Sequence, residues 1–371
     1  MNNQPITIIG LMSGTSLDGI DLAACQFFKA ENGNWSYKVL AADTYKYSQD
    51  WEDRLRDCME LSGLQLSLLD RELGKYLGEQ VKSFVSKNKI KADWVASHGH
   101  TVYHQPAIGL TLQIGHGYSL MTAANQPVIT DFRSLDVALG GQGAPLVPIG
   151  DALLYNQYRY CLNLGGIANI SFEKEGQRLA YDICPANSVL NWLAQKEGKA
   201  FDNHGEMAAS GKLIPKLLEE LNHLDFYAQA APKSLGFEWT QAVVLPLLKK
   251  YTTYSVADLS HTFCQHMAYQ IKVAVTTNSK DTAGKILVTG GGAYHQEFIR
   301  ILQKELAELS VEVVIPDGKT IEFKEAIVFA FLGHLRLNNQ ANSLQSVTGA
   351  SRNSIGGAIY SEVVEKSPPL V

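Results

Sequence analysis

The sequence predicts an α/β protein with a duplicated fold, in which two lobes flank a central cleft. Two observations lead to this prediction. The chain has 371 residues, which is long enough for two domains. A pattern of strand, glycine-rich turn and strand begins at Pro5 and returns at Tyr158, and each time alternating helices and strands follow. Because ligands bind preferentially at interfaces between domains, we expect the functional site in the cleft.

In the first half, two apolar runs flank the glycine-rich stretch SGTSLDG and predict a hairpin between residues 5 and 28. A third strand is predicted near Tyr37–Asp43. A helix follows, because apolar side chains recur at steps of three and four residues: Leu66, Leu69, Leu73, Leu77, Val81 and Phe84. The remaining predicted elements are a strand at Asp93–Gly99, a helix at Tyr118–Asn125 and the strand PVITDF.

A connection between the lobes is predicted at DVALGGQGAPLVP, residues 136–148, because this stretch is dense in glycine and proline. We therefore expect an N-terminal lobe at 1–140 and a C-terminal lobe at 141–344. The segment 345–371 is expected to pack back on the first lobe.

The second half repeats the opening pattern in YRYCLNLGGIANISFE, followed by the strand RLAYDI. The predicted helices are NSVLNWLAQ, GEMAASGKLIPKLLEEL, Ser255 to about Ser279, HQEFIRILQKELAEL and KEAIVFAFLGHLRL. The predicted strands between the last helices are KILVTGGG and VEVVIP.

The composition argues against several classes of function. The net charge is −5, and no run of Lys and Arg offers a surface for nucleic acid. The five cysteines are scattered without a C-x-x-C pair, which is typical of a reducing compartment. The N-terminus lacks the features of a signal peptide, and no apolar run is long enough for a membrane helix. We therefore expect a cytoplasmic protein without nucleic-acid or membrane partners.

Three glycine-rich loops predict phosphate binding, because only glycine lets several backbone N–H groups approach a phosphate closely. Each loop alone is more simply a tight turn than a binding site, but three at matching places in a duplicated fold favour a nucleotide. Asp18 is the candidate for Mg²⁺, through water, and Asp21 and Asp151 are further candidates. The predicted nucleotide-binding residues are Gly14, Thr15, Ser16, Leu17, Asp18, Gly19, Asp21, Gly165, Gly166, Asn169, Gly290, Gly291 and Gly292.

Other nucleotide and hydrolase motifs do not occur: the chain has no G-x-x-x-x-G-K-[ST], no G-x-G-x-x-G after a strand and no G-x-S-x-G. A duplicated domain with paired phosphate hairpins resembles instead the actin, Hsp70 and hexokinase superfamily of ATP-binding proteins, which has the actin-like ATPase (ribonuclease H-like) fold. The resemblance implies that the nucleotide is ATP and that the predicted nucleotide-binding residues bind it.

Eight motifs in order resemble one family within that group, the anhydro-N-acetylmuramic acid kinases. They are GLMSGTSLDGIDLA, SHGHTVYHQP, LQIG, ITDFRSLDVALGGQGAPLVP, LNLGGIANIS, YDICPANSVLN, TGGGAYH and KEAIVFAFLGHLR. The resemblance implies an enzyme that opens the 1,6-anhydro bridge of an amino sugar with water and transfers the γ-phosphate of ATP to O6. It also implies the product N-acetylmuramic acid 6-phosphate, a place in peptidoglycan recycling, and a homodimer.

The resemblance places the catalytic base at Asp182, at the end of a predicted strand. From the residues alone, Asp182 is equally a cap of the helix that begins near Asn187. The usual glycosidase needs two carboxylates, but one suffices if the leaving O6 attacks phosphorus.

The resemblance also implies that Arg133, Glu325, Thr15 and His98 bind the sugar. A guanidinium at Arg133 suits a carboxylate or a phosphate, and the alternative is an ion pair with Asp131 or Asp136. Glu325 is expected to accept hydrogen bonds from sugar hydroxyls, and the alternative is a solvated carboxylate in the first turn of a helix.

Other readings stay open. His98, His100 and His104 form H-x-H-x-x-x-H, which allows a zinc hydrolase, although hydrogen-bonded histidines are the simpler interpretation. A kinase of another sugar and a non-catalytic ATP-binding switch are further alternatives.

The sequence also departs from the family pattern. The turn Ile183–Asn187 lacks the two glycines of DTGPGN, so Cys184 and Ala186 would be strained if φ were positive there. His295 stands where the family pattern has Asn.

Overall fold

The computed structural model describes residues 5–14, 17, 19–231, 233–278 and 281–362. The strands are β1 Thr7–Ser13, β2 Ile20–Lys29, β3 Trp35–Tyr45, β4 Trp94–Ser97, β5 His100–Gln105, β6 Leu110–Ile114, β7 Val128–Thr130, β8 Tyr160–Leu164, β9 Ile167–Lys174, β10 Gln177–Pro185, β11 Gly284–Thr289, β12 Val311–Val314 and β13 Ala358–Tyr360.

The helices in the same residues include several of only one turn. They are α1 Gln49–Arg56, α2 Gly63–Asn88, α3 Gly117–Ala124, α4 Ser134–Ala138, α5 Pro148–Leu153, α6 Asn187–Gln195, α7 Glu206–Ser210, α8 Pro215–Asn222, α9 Asp225–Ala228, α10 Phe237–Trp239, α11 Leu245–Lys249, α12 Val256–Asn278, α13 Gln296–Ala307, α14 Gly318–Leu337 and α15 Gln345–Thr348.

The chain divides into two compact units. Unit one comprises residues 1–154 and 323–371, and unit two comprises residues 155–322. The sheet of unit one has the strand order β13-β7-β4-β1-β2-β3, and that of unit two has the order β10-β9-β8-β11-β12. In each sheet, three antiparallel strands come first in the chain, a later strand pairs in parallel with the first of them, and a further strand pairs in parallel with that one. In unit one, β13 adds to this order by pairing antiparallel with β7. The repeated order confirms the predicted duplicated α/β fold of the actin-like ATPase type.

Helices cover both faces of the sheet in unit one. On one face, the predicted apolar stripe of α2 is confirmed, and its buried leucines pack with the side chains of β1 and β2. Gly74 and Gly78 let α2 approach α3 closely, since a Cβ at Gly78 would lie 2.6 Å from the Cβ of Ala123. On the other face, α14 lies so close to β1 that Gly10 has no room for a Cβ beside Ala326.

In unit two, helices of the same unit pack on one face of the sheet. The core consists of alternate residues of β8, β9 and β11 together with the buried faces of α6, α12 and α13. The long helix α12 matches the helix predicted from Ser255. None of the helices in the described part of the chain combines the length and the apolar character needed to cross a membrane.

The predicted lobe boundaries differ from this division. Residues 141–154 belong to unit one rather than to the C-terminal lobe, because α5 packs on α14: a Cβ at Gly150 would lie 2.5 Å from Val328. Residues 323–344 also belong to unit one, since α14 covers β1. The return of the C-terminal segment is seen in β13, which pairs with β7. The cleft stays a prediction.

Two local predictions were incomplete. The single helix expected over GEMAASGKLIPKLLEEL is divided into α7 and α8, because Gly211 has extended backbone and meets the backbone of Ala257. The hairpin of β5 and β6 was not predicted from the sequence. It forms a separate two-stranded sheet.

Candidate functional site

Asp182 lies in unit two on β10, where the pairing with β9 shifts register between Asp182 and Cys184. Its carboxylate oxygen Oδ2 accepts hydrogen bonds from the backbone N–H of Leu235, at 2.9 Å, and from the hydroxyl of Ser234, at 3.2 Å. Burial raises the pKa of Asp182, and these two hydrogen bonds partly offset that rise. The side chain does not cap α6, since the capping position is Ala186. A raised pKa makes this carboxylate a better proton acceptor than an ordinary Asp, which suits a general base.

A row of polar residues crosses the sheet of unit two beside Asp182. Asp182 is paired with Asn169 on β9, Asn169 with Asn163 on β8, and Asn163 with Thr289 on β11. Residues opposite each other on neighbouring strands face the same side of a sheet. The register thus places Asn169, a predicted ATP-binding residue, next to the predicted base. Asn163 was missed, because a single Asn in an apolar strand gives little signal.

The second glycine loop, Gly165 and Gly166, connects β8 and β9. Its carbonyl groups are engaged by the start of α6: Asn187 N donates to Gly165 O at 3.1 Å, and Ala186 N donates to Gly166 O at 2.8 Å. The N–H groups of both glycines have no backbone acceptor among the described residues. A Cβ added at either position would make only ordinary van der Waals contacts. At Gly166, the nearest atom to the added Cβ would be the Cβ of Ser188, at 3.9 Å. The fold itself therefore does not require glycine here, which fits a surface that a phosphate approaches.

The third loop, Gly290–Gly292, follows β11, and its glycines serve different purposes. Gly290 has a φ of 79°, and a Cβ there would lie 2.7 Å from the side-chain oxygen of Asn163. A Cβ at Gly292 would lie 2.6 Å from the Cβ of Leu164. Gly291 has room, with the nearest atom 3.6 Å away. Gly290 and Gly292 are thus required by the fold, and only Gly291 resembles the open glycines of the second loop.

His295 takes over a structural role after the third loop. Its Nδ1 accepts a hydrogen bond from Phe298 N at 3.1 Å and caps α13. An Asn at this position would provide the same kind of cap, so the departure from the family pattern has a structural explanation.

The first loop connects β1 and β2 in unit one. Thr15, Ser16 and Asp18 lie outside the described residues. Leu17 has a φ of 59°, unusual for a residue with a branched side chain, and its N–H donates to Gly14 O at 3.4 Å. A Cβ at Gly19 would lie 2.9 Å from Tyr45 O. Asp21 lies on β2, where its Oδ1 accepts a hydrogen bond from the hydroxyl of Thr44 at 2.6 Å.

Arg133 is held by neutral partners in unit one. Its Nε and Nη2 both donate to Nε2 of His98, at 3.0 and 2.9 Å, and its Nη1 donates to Gly143 O at 2.7 Å. Among the described residues, Asp131 instead accepts a hydrogen bond from Ser134 N, and Asp136 accepts hydrogen bonds from Gly143 N and from the hydroxyls of Ser343 and Thr348. The ion pair considered from the sequence is therefore not formed, and the guanidinium suits an external anion.

His98 is engaged through both ring nitrogens. Its Nδ1 donates to Gly99 O at 2.9 Å, so Nε2 is the acceptor for Arg133. Burial is the main cause that lowers the pKa of His98 to about 3, with Arg133 contributing, so the ring is neutral. The predicted substrate ligand His98 thus orients Arg133 in this structure.

Glu325 lies on α14 well after its start at Gly318, so it is not a first-turn carboxylate. Its side chain is exposed, and its charge favours the protonated form of Arg133, whose pKa burial lowers to about 10. The structure thus brings two predicted sugar-binding residues into electrostatic contact. The neighbouring Lys324 forms a buried ion pair with Asp151 at 2.7 Å.

The three histidines of H-x-H-x-x-x-H have different partners. Nδ1 of His104 lies 3.1 Å from the hydroxyl of Thr111, and Nδ1 of His100 lies 3.5 Å from the hydroxyl of Ser13. No group of three or more His, Cys, Asp or Glu side chains in the described ranges is arranged to hold a metal ion.

The altered turn after Asp182 keeps negative φ. Cys184 lies in β10, and Ala186 has a φ of −132°. Neither residue is among those with positive φ, so the strain considered from the sequence does not arise.

Comparison with known proteins identifies the family. The family model for anhydro-N-acetylmuramic acid kinase matches residues 6–362. The chain is 32% identical to the protein of that name from Haemophilus influenzae, over 97% of this chain and 99% of that protein. It is 34% identical to those from Shewanella halifaxensis, with coverage of 97% and 99%, and Clostridioides difficile, with coverage of 95% and 97%.

Among solved structures, component A of (R)-2-hydroxyglutaryl-CoA dehydratase from Acidaminococcus fermentans aligns at 12% identity with a TM-score of 0.45, over 87% of this chain and 95% of that one. This likeness is too distant to bear on function. The family match over nearly the full length is decisive, and the chain belongs to the anhydro-N-acetylmuramic acid kinase family.

Proposed function

We propose that this protein is an ATP-dependent kinase that opens the 1,6-anhydro ring of anhydro-N-acetylmuramic acid with water and phosphorylates O6. The product is N-acetylmuramic acid 6-phosphate, as expected in peptidoglycan recycling. Family membership supports the substrate. The single observation that supports the chemistry best is Asp182, a half-buried carboxylate in register with Asn169, near an open glycine hairpin.

In the proposed reaction, Oδ1 of Asp182 accepts a proton from water while the water oxygen bonds to C1 of the sugar. The C1–O6 bond breaks, and its electron pair remains on O6. O6 bonds to the γ-phosphorus of ATP as the bond to ADP breaks, and the proton leaves Asp182 for solvent. Because phosphorus takes up O6, no general acid is required, and one carboxylate replaces the pair of a glycosidase.

We propose that Arg133 binds the lactyl carboxylate of the sugar and that Glu325 accepts hydrogen bonds from its hydroxyls. The Arg133 guanidinium has no hydrogen-bonded carboxylate partner among the described residues. Glu325 is exposed, and its negative charge interacts electrostatically with Arg133. We further propose that His98 acts through Arg133, while Thr15 contacts the sugar.

We propose that the phosphates of ATP bind the predicted residues of the three loops. The open glycines Gly165, Gly166 and Gly291 support this proposal, because a Cβ would occupy the space that a phosphate needs. Mg²⁺, when bound, neutralises phosphate charge. Asp18 would hold it through water, and Asp21 is a second candidate. Asp151 suits this role less, since Lys324 balances its charge.

The test uses the anhydro-sugar and ATP in ¹⁸O-water, followed by mass spectrometry of the product. We expect a phosphorylated sugar with ¹⁸O at C1. Phosphorylation without ¹⁸O would reject the coupled hydrolysis and favour a kinase of another acceptor. ATP binding with no sugar product from any anhydro-sugar would favour a nucleotide-binding switch.

Asp182→Asn is the variant that tests the base. We expect kcat to fall by a factor of roughly 10² to 10⁴, the usual contribution of a general base, with ATP affinity unchanged. Asp258→Asn is the matched control, because that carboxylate also accepts a backbone N–H, from Lys212 at 2.6 Å, in the same unit. Near-normal turnover of Asp182→Asn would remove Asp182 from the mechanism.

We also propose a homodimer in the cytoplasm. The resemblance implies the dimer, and five buried cysteines without disulfides fit a reducing compartment. Sedimentation equilibrium of the purified chain tests the first proposal, and cell fractionation tests the second.

A further inference from the structure

A short segment at residues 233–235 contacts Asp182 from outside the sheet. The N–H of Asp182 donates to Lys233 O at 3.0 Å. In the opposite direction, Oδ2 of Asp182 accepts from Leu235 N at 2.9 Å and from the Ser234 hydroxyl at 3.2 Å. The same segment therefore binds both the backbone and the side chain of Asp182. We call residues 233–235 the Asp182 clamp.

The position of β10 explains why such a segment is needed. β10 is the edge strand of its sheet, so one side of its backbone has no neighbouring strand in the part of the chain that the structure describes. The register shift after Asp182 further interrupts its pairing with β9. A residue at the edge of a sheet, next to such an irregularity, is held by few ladder bonds. The clamp supplies the missing contacts.

The clamp is itself anchored to the core of unit two. Nζ of Lys233 donates to Phe226 O at 3.0 Å, and it lies 4.5 Å from the centre of the Phe226 ring. The hydroxyl of Tyr227 is 2.8 Å from Nε2 of His266, a fully buried residue of α12. Nδ1 of His266 is in turn 2.7 Å from Oδ1 of Asn222. The segment thus has a fixed base from which to hold Asp182.

We propose that Ser234 and the backbone N–H of Leu235 are positioning groups that fix Oδ2 of Asp182, so that Oδ1 is the oxygen that accepts the proton from water. This inference rests on the proposed role of Asp182 as the base. Both contacts of the clamp with the carboxylate are made to Oδ2. Oδ1 has no protein donor among the described residues, and the adjoining Pro232 has no N–H to offer.

The titratable groups around Asp182 and its neighbour Cys184 make the Ser234 hydroxyl a suitable probe. Burial raises the pKa values of the Cys184 thiol and the Tyr227 hydroxyl, so both are neutral. Lys233 directs its ammonium group to the carbonyls of Phe226 and Tyr227. Removing the Ser234 hydroxyl therefore changes the hydrogen bonding of the carboxylate without changing any charge. Because Ser234 is exposed, its substitution should not unfold the protein.

The experiment compares the wild type with Ser234→Ala in the pH dependence of kcat. The Ser234 hydroxyl lowers the pKa of Asp182 by binding its charged form, so the variant should raise that pKa further. A base works only when deprotonated, so activity falls as the pH falls through this pKa. We expect the acidic limb of the kcat profile to move to higher pH by roughly 0.5 to 1 unit. At pH values below the pKa of Asp182, this shift lowers kcat roughly three- to tenfold.

Two further variants and one direct measurement complete the test. Ser234→Thr keeps the hydroxyl and should restore the profile. Ser210→Ala is the control, because it removes a hydroxyl of the same unit that donates to Met207 O rather than to Asp182. Carbon-13 NMR follows the titration of the Asp182 carboxyl itself, assigned with Asp182→Asn. An unchanged titration in Ser234→Ala would overturn the clamp even if the wild type incorporates ¹⁸O. Failure of the wild type to incorporate ¹⁸O would overturn the proposed reaction, while the NMR shift would still decide the clamp.

Discussion

Arg133 combines features that are costly unless an anion binds. The guanidinium is largely removed from water, and burial lowers its pKa to about 10. Its donors meet an imidazole nitrogen and a carbonyl, which carry no formal charge. Glu325 and Asp136 compensate the charge only from a distance. A buried charge normally has a direct counter-ion, and a carboxylate of the substrate would supply it.

Arg133→Met should therefore weaken recognition of the substrate carboxylate. A hydrogen bond to a charged group contributes about 1.5–3 kcal/mol, so kcat/KM should fall roughly 10- to 150-fold, mainly through KM. If the lactyl carboxylate of the sugar is converted to its methyl ester, the wild-type enzyme should show a similar fall in kcat/KM. With Arg133→Met, acid and ester should react alike.

The control for this prediction is Arg71→Met, because Arg71 also contacts a histidine, His116 at 2.9 Å, but is exposed. It should keep the wild-type preference for the acid. If Arg133→Met kept that preference as well, the carboxylate would have to bind elsewhere.

At single positions, the sequence was informative where a motif is local. Asp182 and Arg133 stand in short recognisable stretches, and the structure surrounds each with partners suited to its proposed role. Ser234 was not anticipated, since it meets Asp182 only through the fold, across 52 positions of the chain. The use of both nitrogens of His98 also depends on a contact with a distant residue.

At the level of elements, the glycine loops separate into two kinds of glycine. Gly290 and Gly292 are required by positive φ or by close packing, whereas Gly165, Gly166 and Gly291 have room for a side chain. All five looked alike in the sequence, because composition does not distinguish a tight turn from a binding surface. The difference is experimentally accessible by adding one methyl group.

Gly166→Ala should leave stability unchanged and weaken ATP binding, because the added Cβ has space in the protein but competes with a phosphate. We expect Kd for ATP to rise roughly tenfold, equivalent to about 1.4 kcal/mol. Gly292→Ala should instead lower the midpoint of thermal unfolding, since its Cβ would meet Leu164 at 2.6 Å. Calorimetric titration and differential scanning calorimetry measure both quantities. Unchanged ATP affinity in Gly166→Ala would argue against a phosphate at this loop.

Regular elements followed from the sequence wherever periodicity was strong. The stripe of α2 and the paired hairpins β1–β2 and β8–β9 were predicted because apolar spacing and glycine turns are local signals. The break between α7 and α8 was not, because it depends on Gly211 meeting the backbone of Ala257 on α12. Such tertiary contacts leave no periodic pattern.

At the scale of the whole molecule, unit one is built from two separate parts of the chain. The helix α14 and the strand β13 return to a sheet that the first part of the chain begins. The sequence suggested only the return of the segment after residue 344, because an apolar helix such as α14 suits either unit. Small residues allow α14 to pack closely on the sheet of unit one. Gly10 of β1 faces Ala326 and Ala330 of α14, and a Cβ added at Gly333 of α14 would lie 2.7 Å from the Cβ of Ala96 on β4.

Gly10→Ala tests whether these two parts form one cooperative core. A Cβ at Gly10 would overlap the carbonyl of Ala326 and lie 2.7 Å from Ala330 N, so the substitution forces α14 away from β1. We expect a loss of about 1–3 kcal/mol in the free energy of unfolding of unit one. Hydrogen exchange measured peptide by peptide should accelerate roughly 5- to 150-fold together in 5–154 and 323–362, and not in 155–322.

Gly63→Ala is the control, because a Cβ at the start of α2 meets no atom within 4 Å. Its exchange should match that of the wild type throughout. The decisive comparison is the behaviour of α14 in Gly10→Ala. If the peptides of α14 kept their protection while those of β1 lost it, the two parts would not share a core, and α14 would belong with the segment that precedes it. Joint loss of protection follows if β1 and α14 stabilise each other, as the absence of space at Gly10 requires.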